Sequence, residues 1–284
     1  MFRGYNLSLS NADISLLGKI ESMSLSKITD SLKVNKEEMK RKSDSLIDKG
    51  LLSASIQKSN EDLDGSKLSN EWFPSIHADI FISHSHKDEK LAIKLAAWLF
   101  QNFGLNCFID STVWGYSDEL LKELDNHYCL NENGETYSYE KRNMTTSHVH
   151  MMLSTALNNM IDRSECLFFL NTKNSIIDDK LDPEDSDQTY SPWLYNEIST
   201  FNIVEKRNPR YSLEEVRKIL LESEQSIEKR TEFNIRYKTD LSKLKKIGWL
   251  DLLRWQQSNE NGVKGPETLD ALYYIPILEK IYEQ

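Results

Sequence analysis

Apolar residues recur three and four apart in the first part of the chain, and later alternate between such stripes and short unbroken apolar runs. In "ADISLLGKIESM" Ile14, Leu17 and Ile20 share a helical face, and "SLSKITDSLKV" repeats the pattern with Leu25, Ile28 and Leu32. "NKEEMKRKSDSLIDKGLL" opens on Asn35 as an N-cap and closes on Gly50. Three helices followed by the alternating "LSASIQ" predict a small, mainly helical, winged-helix-like domain over residues 1–72. The polar "SNEDLDGSKLSN" reads as linker or wing tip.

From residue 73 onward the pattern changes. "HADIFISHS" carries a run too short for a helix, Ile80 to Ile82, and predicts a buried strand. "KDEKLAIKLAAWLFQNFG" then sets Leu91, Leu95, Leu99 and Phe103 along one helical face, with Gly104 as its cap, and "LNCFID" is the next strand. Strand, helix and strand at these lengths make a βαβ unit and hence a parallel sheet. After a polar insertion without periodicity, Asn131 to Ser147, "HVHMMLSTALNNMIDRSE" resumes a helical stripe and "CLFFLNT" gives a third strand, apolar throughout as both-face burial requires. "SPWLYNEISTF" starts a helix with Pro192 in its first turn. Beyond it, "LEEVRKILLESEQSIEKR" reads as a charged helix, "EFNIRYK" as a strand, and "GPETLDALYYIPILEKIYEQ" as a final helix from near Pro266. The chain is thus expected to be α/β over residues 73–284.

Charge sharpens the division. Of a net charge of −10 over 284 residues, none arises in residues 1–72, where 11 basic side chains meet 11 acidic ones. That balance weakens a DNA-contact reading of Lys40, Arg41 and Lys42 in favour of a solvated helix face, and the acidic remainder argues against a nucleic-acid partner. No window is apolar enough for a secretory leader or a membrane span, which predicts a cytoplasmic protein without a membrane partner. Cys107, Cys129 and Cys166 are widely spaced and odd in number, so reduced thiols are expected, and no metal-ligand spacing occurs. His148 and His150 stand two apart on a helix and cannot share a metal. P-loop, GxGxxG and GxSxG patterns are missing, which leaves nucleoside-triphosphate hydrolysis and serine-hydrolase chemistry without support.

The ligand crevice of an open parallel sheet lies outside the carboxyl ends of its strands. Those ends carry Ser83 and His84, Asp110 with the Trp114–Gly115 loop, and Asn171 with Thr172, while Glu197 on the following helix overlooks the same side. Read alone, Glu197 is an acid near a helix start, stabilised by the dipole.

The ordered set "DIFISHSHKDE", "FID", the Trp114 loop, "NNMIDRSE", "CLFFLNT" and "SPWLYNEI" resembles the Toll/interleukin-1 receptor (TIR) domain, best over 78–201. The chain departs from that family in the insertion after Asn131 and in the long charged stretch after Phe201; both resemble elaborations of bacterial anti-phage TIR proteins of the Thoeris type. The resemblance implies a flavodoxin-like three-layer sandwich around a parallel sheet. It further implies an enzyme that takes NAD+ as substrate, needs no cofactor or metal, and uses Glu197, in the W-x-x-x-E pattern of Trp193 to Glu197, to cleave the nicotinamide–ribosyl bond. Ser83, His84, Asp110, Trp114 and Trp193 become candidate substrate contacts. Trp114 either closes over nicotinamide or packs on a neighbouring domain, and Trp193 either stacks on a base or anchors the core. Implied partners are further copies of the chain, assembling through TIR contacts, and a downstream effector that senses the product in anti-phage defence. A non-catalytic TIR scaffold and a DNA-binding regulator with a ligand-sensing α/β domain are the alternatives.

Overall fold

The computed structural model describes residues 3–17, 64–114, 117–177, 187–207, 237–259 and 262–273. Two compact units divide the chain, one of 1–28, 77–109 and 160–284, the other of 29–76 and 110–159.

The first unit is mixed α/β. Its strands β1 (Arg3–Ser8), β2 (Ile80–Ser83), β3 (Cys107–Phe108), β4 (Cys166–Asn171) and β7 (Lys245–Ile247) form a five-stranded parallel sheet in the order β3-β2-β4-β1-β7. Two short strands, β5 (Gln188–Thr189) and β6 (Tyr237–Lys238), pair antiparallel apart from it. Helices α1 (Asn11–Leu17), α2 (Glu89–Phe103), α3 (Pro192–Ile203) and α4 (Trp249–Ser258) and a helical stretch at 268–273 accompany the sheet.

Alternation along the strands sorts the sheet's two faces. Tyr5, Leu7, Ile80, Ile82, Phe168 and Leu170 share one core with Leu91, Leu95, Leu99 and Phe103 of α2, with Trp255 of α4 and with Leu269 and Leu272. There the Phe103 and Trp255 rings stack 3.7 Å apart, and the Tyr5 hydroxyl donates to the Leu272 carbonyl at 2.8 Å. Gly104 at φ 66 lets α2 stop in the left-handed turn expected of it. The opposite face carries Gly4, Asn6 and Ser8, and α3 lies on it so closely that a Cβ on Gly4 would meet the Phe201 ring at 2.4 Å.

Leu91, Leu95, Leu99 and Phe103 are all buried, which is why that stripe was readable. β1 was not. Arg3–Ser8 falls inside the stretch expected to be helical and winged-helix-like, yet it is an inner strand of the α/β sheet between β4 and β7. Its Gly, Asn and Ser are weak strand formers, and only both-face burial between two partners makes them one. The remaining helices of the expected first domain fall on residues 18–63, outside the described residues, as do the charged helix expected over 213–230 and Gly115.

The second unit contains the helices Gly65–Trp72, Asp110–Val113 and Ser117–Leu124 and most of Tyr139–Arg163. The insertion from Asn131 is therefore helical in its second half. Its first turns leave Tyr139 and Met144 exposed, 79% and 63%, so no buried stripe marks them in the sequence.

Candidate functional site

The chain leaves β2 for β3 on one side, and the neighbour on the other side is β4, so the sheet has its topological switch between β2 and β4. Ser83 is the last residue of β2. Its hydroxyl donates to Glu197 Oε2 at 2.6 Å, and both residues are buried, Glu197 with 3% of its surface exposed.

The sequence around Glu197 dictates that placement. Ser191 caps α3, its Oγ accepting from the Leu194 amide at 3.2 Å, and Pro192 fills the first helical position. Counting from Pro192, Glu197 is the sixth residue, and no acid stands in the first turn. Helix-dipole stabilisation fades within that turn, so the dipole does not account for this glutamate. One helical turn on, Phe201 rests over Gly4 and holds the carboxylate against the strand end. Trp193, half-buried, precedes Glu197 by four residues and shares its side of α3.

His84 follows Ser83 and is 7% exposed. Its Nδ1 lies 3.1 Å from the Ile82 carbonyl, which can only accept, so Nδ1 carries the proton of that hydrogen bond. His86, in the 3₁₀ turn His86–Asp88, is exposed.

Across the switch, Asp88 ties the β2 connection to the end of β4. Thr172 Oγ1 donates to Asp88 Oδ2 at 2.6 Å and Asn174 Nδ2 to Asp88 Oδ1 at 2.7 Å. Ser175 Oγ donates to the Leu170 carbonyl at 2.6 Å. This brace keeps the lips of the crevice in register, and neither Asp88 nor Ser175 stood out in the sequence as a site residue. Asp88 sits in the "SHSHKDE" segment that carried other candidates; Ser175 has no sequence signal.

Ser83, His84, Trp193 and Glu197 thus belong to one unit, whereas Asp110 and Trp114 belong to the other. Asp110 opens the helix Asp110–Val113, its carbonyl accepting from the Trp114 amide at 2.7 Å. Trp114 is 4% exposed: its indole N–H donates to the Pro74 carbonyl at 3.3 Å and its ring meets Phe73 edge-on at 5.9 Å. Those contacts anchor the core of the second unit.

Among the described residues no group of three His, Cys, Asp or Glu side chains is placed to hold a metal, and no helix is long and apolar enough to cross a membrane. The three cysteines are unbridged, and burial pushes the thiols of Cys107 and Cys166 well up. These two flank Ile80 on neighbouring strands, about 10 Å apart at the usual strand spacing and beyond disulfide reach. Chemically, the site offers a water-shielded carboxylate oriented by a serine hydroxyl. No protein-family model, curated protein or solved structure matches the chain.

Proposed function

We propose that the chain is a TIR-domain enzyme that cleaves the nicotinamide–ribosyl bond of NAD+, with Glu197 as its catalytic residue. The observation that carries this reading is the Ser83–Glu197 hydrogen bond of 2.6 Å at the carboxyl end of β2, beside the sheet's switch point. A carboxylate so placed stands where ligands of parallel sheets bind, and its surroundings exclude the water that would weaken its field.

The chemistry follows from charge. As the C1′–N bond breaks, the electron pair leaves with the ring, cationic nicotinamide departs neutral, and positive charge builds on the ribosyl carbon and ring oxygen. Glu197 steadies that charge and accepts a hydrogen bond from a ribose hydroxyl; Ser83 fixes the direction of the carboxylate. The leaving group needs no proton, so a single carboxylate suffices. Water then adds to C1′ and gives up a proton, yielding ADP-ribose; an internal nucleophile gives a cyclic isomer, and another acceptor a conjugate. In this reading the sheet belongs to a flavodoxin-like sandwich, copies of the chain assemble through their TIR domains, and the product signals to an effector in cytoplasmic anti-phage defence.

The deep burial of Glu197 favours a second reading, in which the carboxylate ties α3 to β2 in a non-catalytic scaffold. Purified protein at high concentration, with and without extract of phage-infected cells, separates the two. Nicotinamide released from NAD+ by the wild type and not by a folded Glu197→Gln variant supports the enzyme; equal release by both removes Glu197 from the mechanism.

A further inference from the structure

On the face covered by α3, the sheet changes character at one level. Phe81, Leu167 and Gly4 line it toward the amino ends. Next comes the row Ser83, Phe169 and Asn6, directly abreast in register, and then Asn171 with Ser8. Two of these strands therefore turn polar beside Phe169 at the level where α3 presents Glu197, and β4 follows one step later with Asn171. Asn6 is the oddity in this row. It is 4% exposed, and its Oδ1 is buried with no hydrogen-bond partner among the described residues. An unsatisfied buried acceptor weakens a fold, and folds that keep one usually have a use for it.

Strand alternation and the contact of Gly4 with Phe201 aim the Asn6 side chain at the α3 side, two strands from Ser83, about 10 Å across Phe169 at the usual spacing. We infer that Asn6, supplied by the N-terminal strand, is a ligand-binding residue of the Glu197 site, its Oδ1 accepting a hydrogen bond from a ribose hydroxyl. The ligand class rests on the function proposed above. Two acceptors, the Glu197 carboxylate and the Asn6 amide oxygen, stand on either side of the buried Phe169 and match a sugar with two free hydroxyls. An anion meets two like-polarity oxygens there, so phosphate is the wrong occupant for this end of the site.

Asn6→Val and Asn6→Ala in the full chain bracket the side-chain volume and remove the orphan oxygen. The expected result is a melting temperature at or above that of the wild type in at least one of them, together with a KM for NAD+ raised roughly 10-fold or more and ADP-ribose binding, read by calorimetry, weakened to match. A fall in melting temperature in both variants assigns Asn6 to the fold and overturns the inference. So does an unchanged KM with unchanged ADP-ribose affinity, while loss of turnover in Glu197→Gln would leave the proposed reaction standing. Wild-type protein that neither releases nicotinamide nor binds ADP-ribose refutes both the reaction and the ribosyl ligand.

Discussion

A serine hydroxyl donating to a buried carboxylate has two separable effects, and substitution pulls them apart. Glu197→Gln keeps an oxygen that accepts from Ser83 at the 2.6 Å contact and removes the charge. Its thermal midpoint is expected within a few degrees of the wild type, while nicotinamide release falls by about 10³-fold or more, in line with loss of a principal electrostatic stabiliser. Ser83→Ala does the reverse: it keeps the charge and loses the donor. Urea unfolding should report a loss of about 1–3 kcal/mol, because a buried acceptor gives up a hydrogen bond. The kcat should drop roughly 10- to 100-fold with little change in KM, the signature of a carboxylate that still meets the transition state but is less well aimed. A Ser83→Ala enzyme with intact kcat and reduced stability would make the hydroxyl purely structural.

At the level of elements, the placement of the carboxylate depends on how closely α3 approaches β1. Gly4 makes that approach possible: a methyl group there would lie 2.4 Å from Phe201 and 2.6 Å from Leu244. Phe201 is 1% exposed and Leu244 4%, so neither ring nor methyl has open space to retreat into. Gly4→Ala is expected to cost about 1–3 kcal/mol in denaturant unfolding, the range of core overpacking, and to lower nicotinamide release by lifting Glu197 from Ser83. Unchanged unfolding would mean that α3 is not seated by this contact.

The same contact shows what the sequence discloses and what it hides. The stripe of α2 and the apolar run of β4 were readable because each follows a single period over its whole length. The N-cap Ser191 with Pro192 likewise announced α3. β1 was invisible because "RGYNLS" draws its strand character from its neighbours β4 and β7, which lie more than a hundred residues away in the chain. Glu197 and Ser83 were found as separate candidates. Their pairing depends on the angle at which α3 crosses the sheet, set by Gly4 and Phe201, and no local pattern carries an angle. Trp114 illustrates the converse: in the sequence it either closes over nicotinamide or packs on a neighbouring domain, and its burial against Phe73 and Pro74 is a tertiary fact.

For the whole molecule, ionisation of buried groups in the α/β unit sets how stability follows pH. Burial lowers Lys245 to about 8, with Arg3 adding repulsion, and lowers Lys206 to about 8, with Lys243 adding repulsion; both ordinarily titrate at 10.5. The Lys245 ammonium donates to the Tyr273 carbonyl and that of Lys206 to the Phe201 carbonyl, so both are held in place as they titrate. Between about 8 and 10.5 the unfolded chain binds more protons at these lysines than the native one, and their contribution to stability rises with pH. Cys107, Cys166, Tyr5 and Tyr273 work the other way, since burial raises all four. Their unfolded counterparts release protons around 9.0 for the thiols and 10.0 for the phenols while the native groups keep theirs, so stability falls above those values. The two trends cross: among the described groups that titrate in alkali, the lysines act first and the thiols and phenols after them. Thermal midpoints measured from pH 7 to 10.5 are therefore expected to climb from about pH 8, level off between about 9 and 10, where two thiols cancel two lysines, and decline above about 10 as the phenols join. Lys245→Met should flatten the climb and bring the decline down to about pH 9, because it deletes one of the two groups that offset the thiols up to about 10.5. A midpoint that falls steadily from pH 7 would show that the lysines are as well solvated in the folded chain as in the unfolded one.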